Sequence, residues 1–156
     1  MQRFMITFVL LITFLISGCS NPNTVLSGDA PPDVSLTIDD EMYGTILGSY
    51  CWSSARLTEC VDTAGPVELM EGKEPIKVQS GELILLVMDF EPKPNNVCLS
   101  KIENGSETEV NLRNQTFAAP KDKGIYYYAY SVRWTDEIEE HVSHADAFYA
   151  FAIEVQ

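Results

Sequence analysis

Alternation of apolar and polar positions governs the chain from Asp33 onward. Val34, Leu36 and Ile38 share one parity with Ser35 and Thr37 between them, the pattern of a strand with one buried face. Asp39-Asp40-Glu41 ends that strand. Tyr43 to Trp52 forms a second candidate, with Ile46, Tyr50 and Trp52 on one parity. Glu82 to Phe90 is an almost unbroken apolar run behind Ser80-Gly81, which predicts a central strand buried on both faces. Pro92 and Pro94 stop it. Val97–Ile102 and Glu107–Leu112 flank Asn104-Gly105, a hairpin signal because both turn residues tolerate positive φ. Gln115–Pro120 is a short further segment. Ile125–Trp134 then places Tyr126, Tyr128, Tyr130, Val132 and Trp134 on one face, and Ala145–Val155 places Phe151, Ile153 and Val155 on one face. Only Pro66–Glu71 reads as helix, a single turn opened by proline and ended by Gly72.

About seven strands with turn signals between them predict an all-β sandwich or barrel. The closing pattern is Pro120, Gly124, Tyr126 and Tyr128, then Trp134, a turn, and Tyr149-Ala150-Phe151 with Ile153 and Val155. This stretch resembles the final hairpin of immunoglobulin-like bacterial domains. The resemblance implies an immunoglobulin-like β-sandwich and says nothing of activity.

The first residues follow another rule. Arg3 precedes the apolar run Phe4–Ile16, which only Thr7 and Thr13 interrupt. A helix of that length covers about 20 Å, short of the roughly 30 Å hydrocarbon core, so a secretory signal is expected rather than a transmembrane helix. Leu15-Ile16-Ser17-Gly18-Cys19 resembles the bacterial lipobox. That resemblance implies cleavage before Cys19 and a diacylglyceryl group on its thiol, with palmitate-type acyl chains anchoring the chain to the outer face of the cell membrane. Two acyl chains are what stable anchoring needs. Residues 20–32 are rich in Pro, Asn, Ser and Gly and have no period, so they read as a flexible tether. The expected organisation is a lipoprotein signal peptide over 1–18, a lipidated tether over 19–32 and a β-sandwich domain over 33–156.

Composition narrows the partners. The chain has 156 residues, room for one domain, and 10 Lys+Arg against 23 Asp+Glu give a net charge of −13. Loss of residues 1–18 removes Arg3 and leaves 9 − 23 = −14. Such a balance argues against nucleic acid and against a polybasic membrane patch, so the only membrane contact expected is the lipid at Cys19.

Four cysteines are too few for a disulfide-dense miniprotein. Gly48-Ser49-Tyr50-Cys51-Trp52, followed by Cys60-Val61-Asp62 and Gly65-Pro66, resembles a recurrent stretch in a family of uncharacterised Gram-positive bacterial lipoproteins. The resemblance spans roughly 48–75 and carries no activity with it. In an exported domain disulfides persist. Cys51 and Cys60 close the shortest loop and are the expected pair, with Cys51–Cys98 and Cys60–Cys98 as competing pairings. The loop they close is expected to be exposed and low in core content, which makes Trp52, Arg56 and Leu57 the candidate binding residues.

Few other residues suggest chemistry. The segment 136–146 holds His141, His144 and Asp146 with several carboxylates, a candidate divalent-cation loop weighed against a solvated connection. Cys51 and Cys60 stand too far apart for a zinc knuckle or a redox pair. The nucleophile elbow, the zinc-protease helix and the Gly-rich phosphate loop do not occur. No metal, other cofactor or catalytic residue is expected. The expected function is an extracytoplasmic, membrane-anchored lipoprotein with a non-catalytic binding or structural domain that contacts a protein or envelope ligand. The alternatives are an extracellular protease inhibitor presenting the 51–60 loop and a metal-binding accessory protein using the 136–146 loop.

Overall fold

A computed structural model describes residues 26–136 and 143–156. Cys19, His141 and the rest of the 1–25 and 137–142 segments lie outside the described residues. In chain order the strands are β1 (Val34–Ile38), β2 (Glu41–Gly44), β3 (Ile46–Ser53), β4 (Thr58–Val61), β5 (Ile76–Val78), β6 (Leu83–Met88), β7 (Asn96–Glu103), β8 (Ser106–Val110), β9 (Thr116–Ala118), β10 (Gly124–Thr135) and β11 (Ser143–Val155). One helical turn, α1 (Pro66–Leu69), sits between β4 and β5.

These elements form the expected all-β sandwich. One sheet has four strands in the order β2-β1-β6-β9, and the other has seven in the order β4-β3-β11-β10-β7-β8 with β5 also on β11. Every pairing is antiparallel except β5 on β11. The outer edge of β11 is shared: β3 covers Ala145–Ala150 and β5 covers Ile153–Val155.

The connectivity carries immunoglobulin features. β10 lies between β11 and β7, β6 pairs with β9 in the opposite sheet, and the Tyr126 hydroxyl at the start of β10 donates to the Asp122 carbonyl at 2.9 Å. A tyrosine bonded back to the corner before its strand is a hallmark of that architecture. The expected count of about seven strands was low because the 43–52 run divides into β2 and β3 and because β4 and β5 were not expected; β2, β3 and β4 all fall between β1 and β5. They widen both sheets: β2 extends the four-stranded one and the β3–β4 hairpin extends the larger one.

The core lies between the sheets. Tyr126, Tyr128, Tyr130, Val132 and Trp134 of β10 face inward as the alternation predicts, opposite Ala145, Ala147, Tyr149, Phe151, Ile153 and Val155 of β11. A second cluster forms on the outer face of the large sheet, where Met70 closes over Ala150 and Ala152, with Ile46, Leu69, Tyr127 and Phe148 around them. The Asn104-Gly105 turn forms as expected, with φ of 51° and 75°.

Three expectations are corrected. The 82–90 run is not buried on both faces: Ile84 and Leu86 are buried, but Leu83 and Leu85 of β6 face solvent because the small sheet is packed on one side only. The 43–52 run is two strands, not one. It changes sheet at Thr45, whose N–H bonds to the Val34 carbonyl, so β2 pairs with β1 while β3 pairs with β11. A β-bulge in the β3–β11 ladder then shifts the register between Ala147 and Tyr149 and reverses the parity. Ile46 therefore joins the outer cluster while Tyr50 and Trp52 join the inner one.

The third correction concerns the tether. Residues 26–32 are anchored to the sandwich, with Leu26 and Pro31 buried and 27–30 exposed between them. Leu26 is 1% exposed and forms a parallel β-bridge with Ser54, the Trp52 indole N–H donates to the Gly28 carbonyl at 3.1 Å, and the Tyr149 hydroxyl donates to the Pro32 carbonyl at 2.6 Å.

Candidate functional site

The β3–β4 tip and the 89–95 loop meet at one end of the sandwich, beside the ends of β10 and β11. Three rings form the floor of this end. Trp52, Phe90 and Trp134 meet edge to face, with centroids 5.2 to 5.8 Å apart. The Trp134 indole N–H donates to the Pro92 carbonyl at 2.7 Å, which ties the 89–95 loop to β10. Asn95 completes the attachment: its amide donates to the Thr135 carbonyl at 2.8 Å, and its side-chain oxygen accepts from the Thr135 N–H at 2.9 Å. The loop is thus held to the end of β10 at Pro92 and at Asn95.

Above the rings stands the β3–β4 turn. The Ser54 N–H donates to the Leu57 carbonyl at 2.8 Å, and the Ser54 hydroxyl oxygen accepts from the N–H groups of Arg56 and Leu57 at 3.3 and 3.2 Å. A serine hydroxyl that gathers the backbone of its own turn fixes the tip locally. Arg56 and Leu57 are exposed there, Leu57 by half. The candidate set therefore splits. Arg56 and Leu57 are free for contact, but Trp52 is only 1% exposed and belongs to the core. The expectation that the cysteine-closed segment holds little core fails at this residue. Trp52 is at an inward position of β3, opposite Ala145, and the apolar pocket under the tip is built around it.

Cys51 and Cys60 are joined, as expected, and face each other across β3 and β4 with Cα atoms 4.1 Å apart. The competing pairings fail on distance. Cys98 lies on β7, three strand positions from β3, or about 14 Å, where a disulfide needs Cα atoms within roughly 7 Å. Cys98 is a half-buried free thiol beside Ser100, in a hollow of about 300 Å³ shared with Ser49, Ser131, Arg133, Asp146 and Phe148.

The proposed cation ligands do not converge among the described residues. His144 pairs with Asp136 at 3.4 Å, with both side chains largely buried. Asp146 lies instead opposite Arg133 and Cys51 on the outer face of the large sheet. No group of three His, Cys, Asp or Glu side chains is placed to hold a metal among the described residues. No described helix is long and apolar enough to cross a membrane.

The tyrosines of β10 and β11 fall mainly to the core. Tyr128, Tyr130 and Tyr149 are buried, and burial raises the phenol pKa of each, that of Tyr130 to about 12. The Tyr130 hydroxyl donates to the Gln115 side-chain oxygen at 3.0 Å. A phenol held neutral and bonded in this way is a packing group rather than an acid–base group. Comparison with family models, with curated proteins and with solved structures finds no match.

Proposed function

We propose that the chain is a membrane-anchored extracytoplasmic lipoprotein whose sandwich is a non-catalytic binding module. The observation that carries this reading is the order of Phe4–Ile16, Leu15-Ile16-Ser17-Gly18-Cys19 and a disulfide-closed domain behind them. A cross-strand disulfide on the solvent side of a hairpin fits an oxidising compartment outside the cytoplasm. The domain contacts a protein or envelope ligand through Arg56 and Leu57 on the fixed turn at the loop end. Little ordering is then left for binding to impose on that turn. Because Ser54 and Leu57 close the turn, it offers no extended strand to a protease cleft, which favours a contact role over inhibition.

The experiment is fractionation with fatty-acid labelling. The wild-type chain is expected in the membrane fraction with an alkyne fatty acid incorporated. Cys19→Ala is expected as unlabelled precursor. A Cys19→Ala chain that is still processed and membrane-bound overturns the reading.

A further inference from the structure

Two rows of side chains on the outer face of the large sheet build a polar hollow. Asp146, Arg133 and Asn96 stand side by side across β11, β10 and β7, and Phe148, Ser131 and Cys98 form the next row on the same strands. The alternate residues Ala147, Val132 and Val97 pack toward the core, so both rows face outward. Ser131 and Cys98 are small where their neighbours are large, which leaves the hollow of about 300 Å³ that Ser49 borders on the β3 side. That volume is at the small end for ligand sites.

Two of its walls are fixed within the protein. The Phe148 ring lies against Gly48, where a Cβ would come within 2.1 Å of it, and it packs into the outer cluster with Ala150. The Thr63 N–H donates to the Ser49 hydroxyl oxygen at 2.9 Å, which holds Ser49 from the segment behind β4. The groups between these walls are not engaged. Arg133 and Asp146 are cross-strand neighbours that form no ion pair, and no hydrogen bond to another described residue involves the side chain of Arg133, Asp146, Asn96 or Ser131.

The donors and acceptors select a ligand. Arg133 only donates, Asp146 only accepts, and Asn96 and Ser131 do both. An anion brought to Arg133 meets the Asp146 carboxylate and the net charge of −13, and a cation brought to Asp146 meets the Arg133 guanidinium. A neutral ligand with neighbouring hydroxyls satisfies both side chains at once, because each hydroxyl donates and accepts. Phe148 supplies an apolar wall against which the C–H groups of a sugar ring pack.

We propose that this hollow binds a neutral saccharide unit, with Arg133, Asp146 and Asn96 on its hydroxyls and Phe148 against its ring. The site is separate from the Arg56–Leu57 turn, and it stands whether or not the chain is anchored at Cys19.

The test is a printed array of neutral, acidic and amino glycans probed with the full-length chain in detergent micelles. Retention on neutral glycans is expected, weakened about tenfold or more in Arg133→Ala and in Asp146→Ala and abolished in Ser131→Trp, which fills the hollow from its floor. Arg56→Ala/Leu57→Ala is expected to bind as the wild type does. Cys98 reports the location. With the retained glycan at saturation, iodoacetamide alkylation of Cys98, read from the mass of its peptide, is expected to slow by about threefold or more. Thermal melts of each variant establish that the sandwich is intact. No retention on neutral glycans, retention only on acidic or amino glycans, binding that survives Ser131→Trp, loss of binding in Arg56→Ala/Leu57→Ala, or Cys98 alkylation indifferent to the glycan overturns the proposal.

Discussion

Tyr128 and Phe151 stack face to face across β10 and β11, with ring centroids 5.0 Å apart and planes 5° from parallel. Phe117 reaches in from the opposite sheet, with its centroid 5.3 Å from Tyr128 and 6.1 Å from Phe151. The contact joins the longest hairpin of the chain to the small sheet at the centre of the core. Tyr128→Ala is expected to cost about 3–5 kcal/mol, as other large-to-small core changes do. Phe151→Ala should cost a similar amount. The double variant should fall short of the sum by about 0.5–3 kcal/mol, since the two rings share one cavity. Denaturant titration of the four chains measures all three quantities.

Gly48 has a different kind of constraint. A Cβ built there would lie 2.1 Å from the Phe148 ring, which lies against the glycine at the β3–β11 bulge. Gly48→Ala is expected to destabilise the domain by about 1–3 kcal/mol through overpacking. Phe148→Leu in the Gly48→Ala background should recover part of that loss. Thermal melts of the single and double variants decide it.

Alkaline pH should weaken the fold. Tyr128, Tyr130 and Tyr149 have phenols raised by burial above the ordinary value near 10. Above pH ~10 the unfolded chain releases protons that the folded chain keeps, so ν_U falls below ν_N and stability declines as pH rises. The stabilisation is complete below pH ~10 and, for Tyr130, is lost through about 12. Urea midpoints at pH 8, 10 and 11, followed together with phenolate absorbance, measure the effect. A midpoint independent of pH over that range would contradict the burial of these rings.

The Cys51–Cys60 bridge closes a short loop, so its removal should be tolerated. Cys51→Ser/Cys60→Ser is expected to lose up to about 3 kcal/mol, the chain-entropy value for a loop near ten residues. Mass mapping of the oxidised wild-type chain should give a 51–60 linked peptide and an alkylatable Cys98.

Arg56→Ala/Leu57→Ala should leave the melting temperature nearly unchanged, because both side chains are exposed and the turn is held by Ser54. Trp52→Phe should act oppositely. It removes the indole donor from the Gly28 carbonyl and opens residues 26–32 to limited proteolysis. Cleavage rates of the two variants separate contact residues from core residues at this end.

Strict alternation was legible wherever a strand stays in one sheet with one buried face. β1 and β10 are examples, with Val34, Leu36 and Ile38, and Tyr126 to Trp134, inward as the pattern implies. The Asn104-Gly105 turn and the Pro66 helical turn were legible from residue chemistry alone. What period-2 reading misses is a change of partner. Nothing around Thr45 marks the crossing between sheets, and Gly48 marks the bulge only once Phe148 is seen against it. The run at 82–90 misled because apolar content does not tell a strand buried on both faces from one with an open apolar face, as Leu83 and Leu85 show. Leu26 was illegible for the opposite reason. It is a single apolar side chain among polar neighbours, and its burial depends on the pocket that Ser54 and Trp52 provide. The same applies to the candidate site, where Arg56 and Leu57 could be read as exposed but Trp52 could not be read as buried.

The seating of Leu26 also sets a standoff height. Cys19 and Leu26 are 26 − 19 = 7 positions apart, so the intervening chain spans at most about 25 Å. With lipid on Cys19, as proposed, the Trp52 end of the sandwich, where Leu26 is seated, would stay within that distance of the bilayer. A gap of this size admits an extramembrane loop or a thin polymer but not a second folded domain of ordinary size. If Cys19 is lipidated as proposed, the Arg56–Leu57 turn would be held on the membrane side, within reach of loops and thin polymers, whereas the side-facing strands β2, β1, β6 and β9 would stay open to neighbours in the same plane.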